Sequence, residues 1–194
     1  MSMMPPTAQV FSNVPDGAEH RHQIIEPLIT ALNGTGMGGA RFPGFIFKDT
    51  SAFGQNCGEI GSMAPHISCL SERVVDSVQQ TSVASYLAYT DLHVEVQPQS
   101  VLDAFTDPTP DAERSSHNFF LNISEKRTRQ RAERGLGRHV ACATEACARQ
   151  HRSFYFSIAL SGSHARLIRW DRAGAVVSES IDLHSDAEPI CEFL

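Results

Sequence analysis

Three groups of residues in this 194-residue chain have types and spacings suited to chemistry. The first is Asn33-Gly-Thr-Gly-Met-Gly-Gly-Ala40, which spells GxGxxG from Gly34 to Gly39. Such a loop cradles phosphate when it leaves a strand and opens a helix, because the first helix amides then face the anion. Here it follows a helix-like segment and runs into Arg41-Phe-Pro-Gly, so it reads as a helix stop and linker, not a nucleotide loop. The second is a basic run in which Lys126, Arg127, Arg129, Arg131, Arg134 and Arg138 supply six of the sixteen Lys and Arg residues. Such a run can grip the phosphates of nucleic acid or of another protein. The plainer reading is a solvated helix or loop balanced by Glu125 and Glu133, with no aromatic residue interleaved to stack on bases. The third group is the nine histidines, with His20 and His22 two apart, and His139 and Cys142 three apart with Cys147 beyond. A structural zinc takes four ligands and no second pair completes this one, so the cysteines read as small apolar core residues and no metal is expected.

Those side chains need a scaffold, and the composition bounds it. Hydrophobic content of 41% and charged content of 20% fit one globular domain with a real core. The net charge of −6 argues against general polyanion binding and leaves only a local basic patch. The longest uncharged apolar runs, such as residues 154–160, fall far short of the roughly 18 residues a membrane span needs. Residues 1–6, Met-Ser-Met-Met-Pro-Pro, carry neither the basic nor the apolar region of a secretory signal. Five cysteines without a CxxC pair read as reduced thiols, so the expected compartment is intracellular, cytoplasmic or nuclear, and not secreted.

The elements follow from periodicity. Residues 1–17 are polar and proline-bearing and read as a flexible leader, with a single domain over 18–194. Ile24, Ile25, Leu28, Ile29 and Leu32 make one apolar face of a helix over 18–33, which Pro27 either starts or kinks. Residues 45–48 and 67–70 are short strand candidates separated by a polar loop, 50–62. In Leu92-His-Val-Glu-Val-Gln97, Leu92, Val94 and Val96 alternate with His93, Glu95 and Gln97, the pattern of a strand with two unlike faces. Proline-rich residues 99–112 read as a surface loop. The basic run leads into a helix over 137–151 with Val140, Ala143 and Cys147 on its inner face. Residues 154–160, 165–170 and 175–179 are strand-like, and the turns Ser161-Gly-Ser163 and Asp171-Arg-Ala-Gly174 join them into an antiparallel meander. Trp170 reads as a packing anchor at the second hairpin. The order α-β-β-β-α-β-β-β predicts an α/β (α+β) fold, a twisted mixed sheet covered by two main helices.

Arg149-Gln-His-Arg152, Ala165-Arg-Leu-Ile-Arg-Trp-Asp-Arg172, Gly174-Ala-Val-Val177 and Glu179 resemble the N-terminal part of the fungal-type protein kinase family. The likeness spans roughly residues 64–194, with weaker echoes at Pro65-His-Ile-Ser-Cys69, Leu92-His-Val-Glu-Val96 and Asp107-Pro-Thr-Pro-Asp111. In such proteins the phosphotransferase lobe follows this region, and this sequence stops at Cys191-Glu-Phe-Leu194 before reaching it. Phosphoryl transfer needs a phosphate-holding lysine, an aspartate on the acceptor hydroxyl and an aspartate on magnesium. The chain has no HRD or DFG, so the resemblance implies kinship without kinase chemistry, and ATP and magnesium only if a kinase lobe exists elsewhere.

The same family wording resembles restriction-endonuclease-like nucleases, where an aspartate and a glutamate hold a divalent metal and a lysine two residues along the strand orients water. The matching positions here are His66, Glu95 and Gln97, so the acidic ligand and the lysine are both replaced. Glu26 on the first helix offers a further carboxylate. The resemblance therefore implies no catalytic residues beyond these vestigial ones. The leading expectation is a non-catalytic interaction or regulatory module with a protein partner and no membrane. The alternatives are a degenerate nuclease-like domain with residual metal or nucleic-acid binding, or part of a full protein kinase.

Overall fold

The computed structural model describes residues 10–36, 39–53, 55–56, 62–78 and 83–194. Its centre is a seven-stranded mixed sheet. The strands are β1 (Phe45–Asp49), β2 (Ile67–Ser71), β3 (Thr90–Gln97), β4 (Phe154–Ser161), β5 (His164–Asp171), β6 (Gly174–Val177) and β7 (Ile181–Asp182). The spatial order is β6-β5-β4-β3-β2-β1, with β7 pairing the other half of the β5 edge. All neighbours are antiparallel except β3 and β4. That parallel pair needs a crossover, supplied by residues 98–125 and a long helix.

Helices cover both faces. On one lie α1 (His22–Leu32) and α5 (Glu188–Phe193), and on the other α2 (Glu72–Val78), α3 (Val83–Tyr89) and α4 (Lys126–Gln150). The α1 face is the main apolar core, where Ile24, Ile25, Leu28 and Leu32 meet Ile67, Cys69, Val94, Val96, Ile158 and Leu160. Burying these side chains supplies most of the driving force, at roughly 1.5–3 kcal/mol for each large residue. Under α4 the layer is thinner: Cys142, Ala143 and Ala146 let the helix close on Tyr155.

Several elements differ from the sequence expectation. Residues 1–9 of the expected leader lie outside the described residues, but the rest of it is structural. Phe11 and Val14 are fully buried in the main core, and the Val14 carbonyl accepts from His184 Nε2 at 2.7 Å. Asp16 accepts from Ser163 Oγ at 2.7 Å, and Gly17 bridges to Gln99. Two apolar residues among polar ones carry no periodicity, so their docking was invisible. Of the two readings of Pro27, the structure overturns the helix start: Pro27 lies within α1, in a turn whose lost acceptor partner, Gln23, faces solvent. The glycine-rich stretch does stop the helix, and then folds back, with Thr35–Gly36 pairing Gly39–Ala40; residues 37–38 lie outside the description. Part of the expected 50–62 loop is ordered as a 3-10 turn at Ser51–Phe53 and a short ladder of Gln55–Asn56 with Ser62–Met63.

Helix α4 starts eleven residues before the expected helix, Lys126 against 137, because Gly135 and Gly137 are accommodated within it. Its buried face is Ala132, Gly135, His139, Cys142, Ala143 and Ala146, whereas Val140 is 40% exposed, which corrects the expected face of Val140, Ala143 and Cys147. Helices α2, α3 and α5 and strand β7 had no counterpart in the sequence reading. The C-terminal meander forms as expected. Its first turn needs Gly162, which has φ +62° and lies where a side chain would overlap the Asp16 carbonyl.

Candidate functional site

The polar face of β3, in the sheet's middle, presents two ionisable groups in register, His93 and Glu95, followed by Gln97. Alternation in the sequence separates this face from the apolar one without saying what lies over it. The structure buries it under α4, with His93, Glu95 and Gln97 opposite Ser157, Ala159 and Ser161 of β4. A strand flanked on both sides and covered on both faces has no wet face to give its polar residues.

Ile67 of β2 pairs with Val94, so the preceding residue, His66, arrives level with Glu95. Two of the three vestigial positions meet directly: His66 Nδ1 lies 3.3 Å from Glu95 Oε2. This is not an ion pair. His66 Nδ1 already accepts the Val96 N–H at 2.9 Å, and burial, with Arg138 and Arg21 nearby, lowers the histidine pKa well below its usual value. Glu95 Oε2 has no hydrogen-bond donor among the described residues. Its Oε1 accepts from Arg138 Nε at 2.9 Å, with Arg138 Nη2 in close contact with the same oxygen. Burial pushes the Glu95 carboxyl up to about 7, against the opposing pull of Arg138 and Arg21.

Gln97 joins the site as a neutral amide, 8% exposed, beneath Gly135. Glu26 does not join it: its side chain is exposed on α1. The residue that approaches from that helix is Arg21, at its start, whose pKa is lowered by desolvation and by the neighbouring Arg138 and Arg131. Sequence reasoning missed Arg21, which lies outside any charge run. It also missed that Arg138 turns from the basic run into the site, because no local pattern sets it apart from the other arginines of that run.

A hard divalent cation needs several free oxygen donors. Here one carboxylate is engaged by a guanidinium, one imidazole lone pair is engaged by a backbone amide, and the third position is an amide. No cluster of three His, Cys, Asp or Glu suited to a metal occurs among the described residues. The nuclease-type metal therefore does not fit these residues.

Beside this site lies a second buried polar chain. Trp170 Nε1 donates to Ser157 Oγ at 2.7 Å, and Ser157 Oγ is 2.7 Å from His139 Nε2. The His139 ring meets His93 edge-on at 4.8 Å, and His93 Nδ1 is 3.1 Å from the Tyr155 hydroxyl. Burial pushes His93 down to about 3 and His139 well below 6.5. The Ser–His contact has the look of a nucleophile and base, but Ser157 and His93 are fully buried and His139 is 2% exposed, so no substrate reaches them. Trp170 anchors this chain as well as the hairpin.

Arg166, inside the segment that carries the family resemblance, is also 4% exposed. It holds Asp103 at 2.7 Å, Asp107 at 2.6 Å, and the carbonyls of Ser178 and Phe105. The expected surface loop is thereby clamped to the sheet, with Leu102 2% exposed beneath it. Three arginines thus do three jobs: Arg138 neutralises a buried carboxylate, Arg166 ties the crossover down, and Arg21 brings charge to the rim.

No protein-family model matches the chain, and neither does any curated protein or solved structure. No helix among the described residues is long and apolar enough to cross a membrane.

Proposed function

We propose that this chain is a catalytically silent interaction or regulatory module, related to the N-terminal region of fungal-type protein kinases through the resemblance at residues 165–175. One observation carries the silence: the Arg138 guanidinium lies on the Glu95 carboxylate, where a metal would have to bind. Phosphoryl transfer and metal-assisted phosphodiester hydrolysis both depend on a cation held by carboxylate oxygens. Removing Arg138 from Glu95 would strand a buried charge, so the pair resists exchange for a metal. Protein binding, not turnover, is the role left to such a scaffold. None of the four described cysteines is in a disulfide, which fits a reducing intracellular compartment.

The convergence of His66, Glu95 and Gln97 favours a second reading, a degenerate nuclease-like domain that keeps the shape and residual nucleic-acid binding without the metal. If the chain is part of a longer protein kinase, ATP and magnesium belong to residues outside this sequence.

Calorimetry with ATP–magnesium and plasmid cleavage with magnesium or manganese, each on the purified chain, test the silent reading. The expected result is no heat of binding and no cleavage. Tight ATP binding overturns the proposal, and cleavage that disappears in Glu95→Ala replaces it with an active nuclease-like domain.

A further inference from the structure

Helix α4 carries Arg127, Arg131, Arg134 and Arg138 at i, i+4, i+7 and i+11. At 3.6 residues per turn these fall within about 60° of one another, a row roughly 16 Å long on one flank of the helix. The first three are exposed, and none has a carboxylate within ion-pair distance among the described residues. The acids expected to balance them do other work. Glu125 caps the helix by accepting from the Arg127 and Thr128 amides, and Glu133 pairs with Arg129 on another flank. Arg21 adds a further guanidinium beside Arg131 and Arg138. Glu95, near this end of the row, is 3% exposed and taken by Arg138.

The three unpaired guanidiniums side by side make a local positive patch, the one kind of polyanion contact that a chain of net charge −6 leaves open. We propose that Arg127, Arg131 and Arg134, with Arg21, form a docking surface for the sugar–phosphate backbone of duplex nucleic acid, while Arg138 at the end of the row stays on Glu95. Guanidinium forks suit phosphate oxygens. The row holds no aromatic residue for stacking on bases, which favours a duplex backbone over a single strand. It also lacks the apolar anchor of a protein interface: the exposed apolar residue of α4, Val140, lies about 150° around the helix. Binding is therefore through phosphates and independent of sequence. This inference rests on the row alone and not on the kinase resemblance.

Fluorescence anisotropy with a labelled 20-base-pair DNA duplex at 50–200 mM NaCl tests it, using the full chain. With four phosphates contacted, log K falls against log salt with a slope of about −4. The triple variant Arg127→Gln/Arg131→Gln/Arg134→Gln removes exposed side chains only, so its far-UV circular dichroism stays unchanged and its slope weakens by about 3. The single variant Arg131→Gln shows the same trend at about one unit should the triple variant not fold. Arg172→Gln, on the β5–β6 turn, binds like the parent. No binding at 50 mM NaCl, an unchanged slope in the variants, or equal affinity for a polyglutamate peptide overturns the proposal, the last in favour of an acidic protein partner.

Discussion

Gly135 of α4 and Gln97 of β3 approach so closely that a single Cβ at Gly135 would overlap the Gln97 side-chain amide. This contact sets the depth at which α4 rides over the polar face of the sheet, and so the reach from Arg138 to Glu95 one helical turn later. A glycine that looks like a helix breaker is the residue that lets the helix seat.

Gly135→Ala will destabilise the fold by about 1–3 kcal/mol, because overpacking outweighs the roughly 1 kcal/mol gain in helix propensity. Gly137→Ala, two residues on with open space around its Cα, will instead stabilise by about 0.5–1 kcal/mol. Urea unfolding of the two variants checks the contrast. Adding Gln97→Ala to Gly135→Ala should recover part of the loss.

Arg138→Gln leaves the Glu95 carboxylate buried without its donor and will cost about 3–5 kcal/mol where that group is ionised. The Glu95 pKa is raised in the fold from 4.5 to about 7, so its contribution is fully present below 4.5 and lost as pH rises through about 7. The defect of Arg138→Gln is therefore larger at pH 8 than at pH 5.5. Glu95→Gln/Arg138→Gln will be more stable than Arg138→Gln alone, and thermal melts across that range measure the coupling.

His66, His93 and His139 are buried and neutral, with folded pKa values below the usual 6.5. For a depressed histidine the unfolded chain binds more protons, so stability is intact above pH 6.5 and falls as pH drops below it. Replacing His93 with Phe will flatten the acid limb by about one proton, or roughly 1.4 kcal/mol per pH unit. Unfolding free energies between pH 4 and pH 8 give the slope directly. An acid limb unchanged in His93→Phe would contradict a neutral buried ring.

Arg166→Lys keeps the charge but loses the fork that spans Asp103, Asp107 and two carbonyls. We expect a loss of about 2–4 kcal/mol, of the size seen when a buried pair is broken in part. Hydrogen exchange should speed up in residues 100–123 well before it does in β4, since that crossover depends on the clamp while the strand depends on its ladder.

Much of the scaffold was legible from the residues themselves. The alternation through residues 92–97 and the glycine-bearing turns of the C-terminal meander specify strands because side-chain period and turn geometry are local properties. The apolar face of α1 was equally plain, with all four of its buried residues among those expected. Short helices α2, α3 and α5 were not legible, since each is too brief to repeat a pattern and is held by its neighbours.

At the candidate site, sequence alone determined which types of residue were present and that His93, Glu95 and Gln97 share a strand face. It also marked His66 and Glu95 as a pair worth comparing, through a family resemblance. Tertiary structure decided what those residues became. The parallel β3–β4 pairing obliges α4 to cross the sheet, the crossing removes water from the polar face, and without water Glu95 must take a guanidinium from 43 residues away while three imidazoles give up their charge. Burial is a property of what lies opposite a residue in space, and no local pattern encodes it.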